Sequence, residues 1–264
     1  MSAIRLGAKV TPRNVASAAE AGFDYVELDL NEVFDAGEAA YRAMAADMEK
    51  YNIYAEVVCG LLPKGIEIVG GHVSSKAIHA ALDDSFEAAR ALGAELVVFD
   101  CPDARKLPDG FDPATAWRQM SNFIRILQAY ASDSGVRAVL LPMRRAAADL
   151  IRYVSEATLI SAMLRLDRVG VAASVYNMAM ESEAMNALAN AGSLLWHVRA
   201  SNPLGNRPPR SEDGEIYADL FRALKETDYV GRVTCEADWL DFKADAEEAL
   251  RCLQAARDAA FSCK

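Results

Sequence analysis

Two residues in this sequence combine the types and the placement that chemistry needs. Glu236 follows the apolar run Gly231–Cys235 directly, and Arg199 closes the triplet His197-Val198-Arg199 at the end of another apolar run. A carboxylate can take and return a proton, and a fixed guanidinium can stabilise negative charge that develops beside it. Arg144, Arg145, Arg207 and Arg210 also lie at or just beyond the ends of apolar runs. Such a cluster in an acidic chain reads as a site for a carboxylate or phosphate, which a guanidinium grips through two parallel hydrogen bonds. It reads equally as the charge of solvated loops. Tyr176 and Asn177, within Ser174-Val175-Tyr176-Asn177-Met178, serve either polar binding or loop capping. His197 is a structural residue or a substrate contact. Cys101, in Asp100-Cys101-Pro102, has no obvious histidine near it, and an inert buried thiol is its plainer reading. His72 and His79 lead into a helical stretch and read as surface residues.

The elements that must position these groups alternate regularly. The apolar runs Arg5–Lys9, Tyr25–Leu28, Ile53–Val58, Glu95–Phe99, Val136–Leu141, Arg168–Ala173, Leu194–Val198 and Gly231–Cys235 predict eight strands. Between them lie amphipathic segments at Ala16–Ala21, Gly37–Tyr51, Ser74–Leu92, Pro113–Ser134, Ala146–Leu164 (one or two helices), Ile216–Glu226 and Ala244–Ala260, several stopped by a glycine such as Gly22, Gly93 or Gly135. Strands apolar nearly throughout are covered on both faces, and strand–helix alternation implies parallel strands with right-handed crossovers. Eight such units in 264 residues predict a single (β/α)8 TIM barrel spanning residues 1–264 as one domain. No GxGxxG follows the first strand and no P-loop is present, which removes the nucleotide-binding alternative.

A net charge of −10 argues against nucleic acid and against anionic membrane surfaces as partners. No apolar run approaches the roughly 20 residues that span a bilayer, and the start of the chain lacks the form of a signal peptide. The five cysteines include no Cys-x-x-Cys pair, as expected of free thiols in a reducing compartment. A cytoplasmic protein is the expectation.

In a barrel of this kind the chemistry sits at the C-terminal strand ends. Read in order, these ends offer Lys9; Glu27 and Asp29; Cys59; Asp100 and Cys101; Leu141–Arg145; Ser174–Met178; His197–Arg199; and Glu236–Trp239. Here the sequence resembles the xylose-isomerase-like barrels, specifically the sugar phosphate isomerases and epimerases related to tagatose epimerase. The resemblance rests on Gly22-Phe23-Asp24-Tyr25-Val26-Glu27-Leu28, Ala91-Leu92-Gly93-Ala94, Pro108-Asp109-Gly110-Phe111, Tyr229-Val230-Gly231-Arg232-Val233 and Cys235-Glu236. It covers nearly the whole chain, through the order and spacing of motifs that are individually unspecific.

The resemblance implies one divalent ion, held by Glu, Asp, His and Glu after strands five to eight, with the two Glu residues moving the proton beside a carbonyl. This chain departs from that pattern. The family's Glu-Pro-Leu-Asn-Arg is here Leu141-Pro142-Met143-Arg144-Arg145, its Asp-x-Tyr-His-Met is Ser174-Val175-Tyr176-Asn177-Met178, and its His-Val-His is His197-Val198-Arg199. A substrate-contacting Glu of the family falls on Ala147, and only the last ligand survives, as Glu236. Leucine, serine and arginine do not make a divalent site with one carboxylate. The expectation is therefore a protein with no metal and no other cofactor, acting on a small oxygenated, anionic sugar, sugar acid or sugar phosphate. Glu236 and Arg199 would be catalytic, with Arg144, Tyr176, Asn177, His197 and Arg207 binding substrate. Two readings stay open: a metal-free isomerase, epimerase or lyase, and a non-catalytic binding or partner subunit in which Glu236 merely pairs with Arg199. A homo-oligomer is open in either case.

Overall fold

In the computed structural model, which describes residues 4–262, eight strands close into one parallel barrel in sequence order. The strands are β1 (Arg5–Val10), β2 (Tyr25–Asp29), β3 (Val57–Cys59), β4 (Leu96–Phe99), β5 (Arg137–Leu140), β6 (Val169–Ser174), β7 (Leu195–Ala200) and β8 (Arg232–Cys235). The helices are α1 (Val15–Ala21), α2 (Leu30–Tyr51), α3 (Ser75–Ala91), α4 (Pro113–Ser134), α5 (Val154–Leu164), α6 (Val175–Met180), α7 (Asn186–Ala191), α8 (Gly214–Glu226) and α9 (Phe242–Ser262). Cys263 lies outside the described residues. No helix among the described residues is long and apolar enough to cross a membrane.

The boundaries depart from the sequence expectation at several places, among them α5, which begins at Val154 rather than Ala146. α2 begins at Leu30 rather than Gly37, because the Asp29 side chain caps it by accepting the Asn31 N–H at 2.9 Å. Gly37, at φ 78°, kinks the helix there instead of starting it. β3 begins at Val57 rather than Ile53; Asn52, in a left-handed conformation, ends α2, and Ile53 N donates back to Met48 O. The segment after β6, to which the sequence pattern assigns no helix, forms α6 and α7.

Two apolar layers hold the barrel. The larger lies between strands and helices and includes Val26, Leu28, Val97, Phe99, Ala138, Leu140 and Val198. The smaller fills the interior with Tyr25, Val57, Cys59, Leu96, Val98, Val139, Leu141 and Ala172. The alternation of side chains along a strand assigns residues to one layer or the other.

At β7 that alternation is broken, and the break shapes the site. The ladder to β6 pairs Val171 with Leu195 and then Ala172 with His197, so Trp196 is an extra residue in a bulge. Leu195 and Val198 pack outward. Strict alternation from Leu195 would turn His197 and Arg199 outward as well; the bulge shifts the parity and brings both inside. Gly170 makes room for it, since a Cβ there would lie 2.4 Å from the Trp196 ring and 2.9 Å from Leu194 O. Gly170→Ala is expected to cost about 1–3 kcal/mol through overpacking, read as a fall in denaturation midpoint at unchanged m-value.

Candidate active site at the barrel mouth

The interior is apolar along β3 to β6 and charged along β7, β8, β1 and β2. Arg199 is the hub of the charged half. Its Nε donates to Glu27 Oε1 at 2.8 Å, and its Nη2 donates to the same oxygen and to Asp100 Oδ2 at 2.9 Å. Its Nη1 reaches Glu236 Oε1 at 3.5 Å. Glu27 Oε2 meets His197 Nε2 at 3.0 Å, and behind His197 the Thr234 hydroxyl meets Tyr25 OH at 2.8 Å. Asp100 Oδ1 accepts the Gly60 N–H at 3.2 Å. Glu27 and His197 are fully buried and Arg199 is 2% exposed.

Charges sealed this deeply persist only as a mutually compensating set. Burial alone would raise the Glu27 carboxyl, but Arg199, His197 and Lys9 together hold it well below the usual carboxylate range. Asp100, likewise opposed by burial, is lowered by Arg199, Lys9 and the Gly60 N–H. Burial works against the Arg199 charge, and Glu27, Glu236 and Asp100 outweigh it. Burial pushes up the Cys59 thiol, and that of Cys101 to about 12, so neither sulfur is poised as a nucleophile.

Above this network opens a cleft of about 300 Å³. Lys9, Asp29, Arg199 and Glu236 line it from the ends of β1, β2, β7 and β8, and the segments after β3 and β4, Asp100 among them, line it together with Met143. Lys9 Nζ stands 3.5 Å from Glu236 Oε1, with the two side chains 25% and 22% exposed. Burial disfavours the Lys9 charge, as does Arg199, whereas Cys59, Glu236 and Asp100 raise its pKa. An ammonium group is therefore presented to the cleft.

The structure distributes the residues singled out in the sequence unevenly. Glu236 and Arg199 come together at the mouth. His197 lies in the layer beneath, screened by Glu27. Tyr176 and Asn177 open α6, where Asn177 N donates to Ser174 Oγ and the Arg144 guanidinium lies 5.1 Å from the Tyr176 ring centre. Arg144 and Tyr176 are not among the residues lining the cleft. Arg207 is held away by Asp213, at 2.7 and 2.8 Å, and Arg145 pairs with Glu181 at 3.5 Å. The arginines thus do not pool into a positive surface. Around Arg199 and Lys9 the acids Glu27, Asp29, Asp100 and Glu236 are in excess, which departs from the expected anion-attracting mouth. Lys9, Asp29, Glu27 and Asp100 stand at strand ends in the sequence, but their convergence follows only from barrel closure.

The residues at positions 141, 174, 199 and 236 do not fit a divalent ion. Leu141 is a buried hydrocarbon, Ser174 Oγ caps α6, and Arg199 brings donors and a positive charge. Among the described residues no group of three or more His, Cys, Asp or Glu side chains is arranged to hold a metal. The guanidinium of Arg199 gathers the carboxylates instead.

A family model described as xylose isomerase-like TIM barrel matches residues 15–256. No curated protein matches the sequence. Among solved structures, D-allulose 3-epimerase from Methylomonas sp. in complex with D-allulose superposes with a TM-score of 0.79 at 19% identity, covering 97% of this chain and 98% of that one. The apo form of 3-keto-D-glucoside 4-epimerase from E. coli gives 0.77 at 19%, covering 96% and 99%. A family 2 AP endonuclease from Brucella melitensis gives 0.75 at 19%, covering 93% and 96%. Likeness at these identities speaks for the fold, and one fold carries unlike chemistries.

Proposed function

Since this chain belongs to the xylose isomerase-like TIM barrels, we propose that it is a divergent, metal-independent member of sugar isomerase or epimerase type, acting on a small oxygenated carbohydrate in the cleft above Arg199. The observation that carries this reading is Glu236, a carboxylate partly open to the cleft with the Lys9 ammonium 3.5 Å away. Glu236 takes the proton from the carbon beside a substrate carbonyl, and Lys9 stabilises the oxygen on which charge develops. Lys9 suits this role better than Arg199, whose Nε and Nη2 are committed to Glu27 and Asp100. A protonated amine donates hydrogen bonds and does not attack a carbonyl, so no covalent step is invoked. Returning the proton to the former carbonyl carbon, while the neighbouring hydroxyl passes its proton to the former carbonyl oxygen, gives isomerisation. Inversion needs a second group; His197 is sealed in the layer below and Tyr176 stacks under Arg144, whereas Asp29 lines the cleft. The acid excess favours a neutral sugar over the anionic one expected from the arginines. Epimerases of D-allulose and 3-keto-D-glucoside among the structural neighbours support a carbohydrate. Buried free thiols at Cys59, Cys101, Cys235 and Cys252 suit a cytoplasmic setting.

A second reading, a binding subunit without catalysis, has its own support: Arg199 neutralises the buried acids as a former metal site would need in order to stay folded. Incubation with D-fructose, D-allulose and L-ribulose in deuterated buffer, with and without chelator, separates the two. Deuterium is expected at the carbon beside the carbonyl at a rate unchanged by chelator. Loss of exchange on chelation, or one manganese, cobalt or zinc per chain after dialysis, would contradict metal independence. Binding without exchange would favour the second reading.

A further inference from the structure

The cleft is chemically divided. Its inner wall carries Lys9, Asp29 and Glu236, whereas the segments after β3, β4 and β5 bring the apolar Leu62, Ile66, Cys101, Pro102, Ala104 and Met143 to the facing wall, interleaved with the charged Lys64 and Asp103. That wall continues downward into the apolar half of the interior, where Met143 packs against the cluster containing Leu141, Cys59 and Val98. A free sugar carries hydroxyls around its whole outline, and those lying on the apolar side chains of this wall would lose water without gaining partners. A volume of about 300 Å³ is at the small end for ligand sites and excludes a folded partner segment.

We propose that the ligand of this cleft is amphipathic: a neutral oxygenated head seated against Lys9, Asp29 and Glu236, bearing an apolar substituent of a few carbons that lies on Leu62, Ile66, Pro102 and Met143. This rests on the reading of the mouth as a carbohydrate site and narrows its substrate class from free sugars to sugars or polyols carrying an alkyl, deoxy or aryl portion. Specificity then comes from both walls, since orientation is fixed by the polar groups and affinity grows with the apolar area covered.

Calorimetric titration with methyl, butyl and hexyl β-D-glucopyranoside tests it, because the head is constant and only the tail grows. Affinity is expected to rise about fourfold per methylene buried, until the tail outgrows the cleft. Ile66→Ser and Met143→Ser, each confirmed as folded by its melting transition, should flatten that rise. Glu236→Gln should weaken all three glucosides by a similar factor. Equal affinity along the series overturns the inference while leaving the carbohydrate site standing. A rise that survives both serine variants places the tail elsewhere and overturns it too. No binding of any glucoside, together with no deuterium exchange into the ketoses, removes the site and the inference together.

Discussion

Replacing Arg199 with leucine is expected to destabilise the fold by about 3–5 kcal/mol, the range for removing one partner of a buried ion pair. Glu27 is fully buried and Asp100 nearly so, and both accept from this guanidinium. The pH dependence should change sign. In the wild type the folded-state pKa values of Glu27 and Asp100 lie below their ordinary values. Their contribution is therefore full above about pH 5 and is lost as pH falls through the acid range, where the unfolded chain binds more protons. Without Arg199 the largest opposing charge is gone and burial dominates at Glu27, raising its carboxyl above its ordinary value. The folded variant then binds more protons than its unfolded chain, and its stability declines as pH rises from 5 to 8. Urea denaturation at pH 5, 6.5 and 8 measures both effects. Arg199→Lys should recover part of the loss, since an ammonium supplies the charge but not the planar fork that spans two carboxylates. Parallel pH curves for wild type and Arg199→Leu, separated by less than about 1 kcal/mol, would remove Arg199 from the centre of the network.

The barrel was legible in the sequence because its signal is local. Eight apolar runs, amphipathic segments between them and glycines at helix ends each report on a few consecutive residues, and alternation does the rest. The placement of Glu236 at the end of β8 was legible for the same reason. The partner list was not. Lys9, Glu27, Asp100 and Arg199 are far apart along the chain, and their convergence depends on closure and on which face of each strand turns inward. At β7 that face is decided by one extra residue, Trp196, in a bulge that Gly170 accommodates. A run such as Leu195–Ala200 carries no local mark of the shift. The arginines misled for a related reason: counting positive residues near strand ends ignores Asp213, which takes Arg207, and Glu181, which takes Arg145. A charge cluster in sequence becomes a potential in space only after its counter-charges are placed. The family pattern located the four positions where a metal would sit, and it is the side chains there, not the fold, that do not fit one.

Glu236→Gln should separate catalysis from structure in a single variant. Of the three carboxylates around Arg199, Glu236 is the most exposed, at 22% of its side chain, and its contact is the longest, at 3.5 Å. Its amide keeps shape and one acceptor oxygen, while Glu27 and Asp100 continue to compensate the guanidinium. The expected cost in stability is therefore that of a partly exposed pair, about 1 kcal/mol or less, and not the several kcal/mol of a buried one. Catalysis should respond differently. An amide cannot accept the proton, and positioned acid–base groups contribute roughly 10²- to 10⁴-fold in rate, so deuterium exchange into the ketose should fall by about that factor. Lys9→Met should reduce exchange as well, by removing the charge that stabilises the developing oxyanion. A melting temperature that drops as far as in Arg199→Leu would make Glu236 a structural counter-charge and favour the non-catalytic reading. Full exchange in both Glu236→Gln and Lys9→Met would move the base elsewhere on the cleft, with Asp29 and Asp103 the carboxylates left to test.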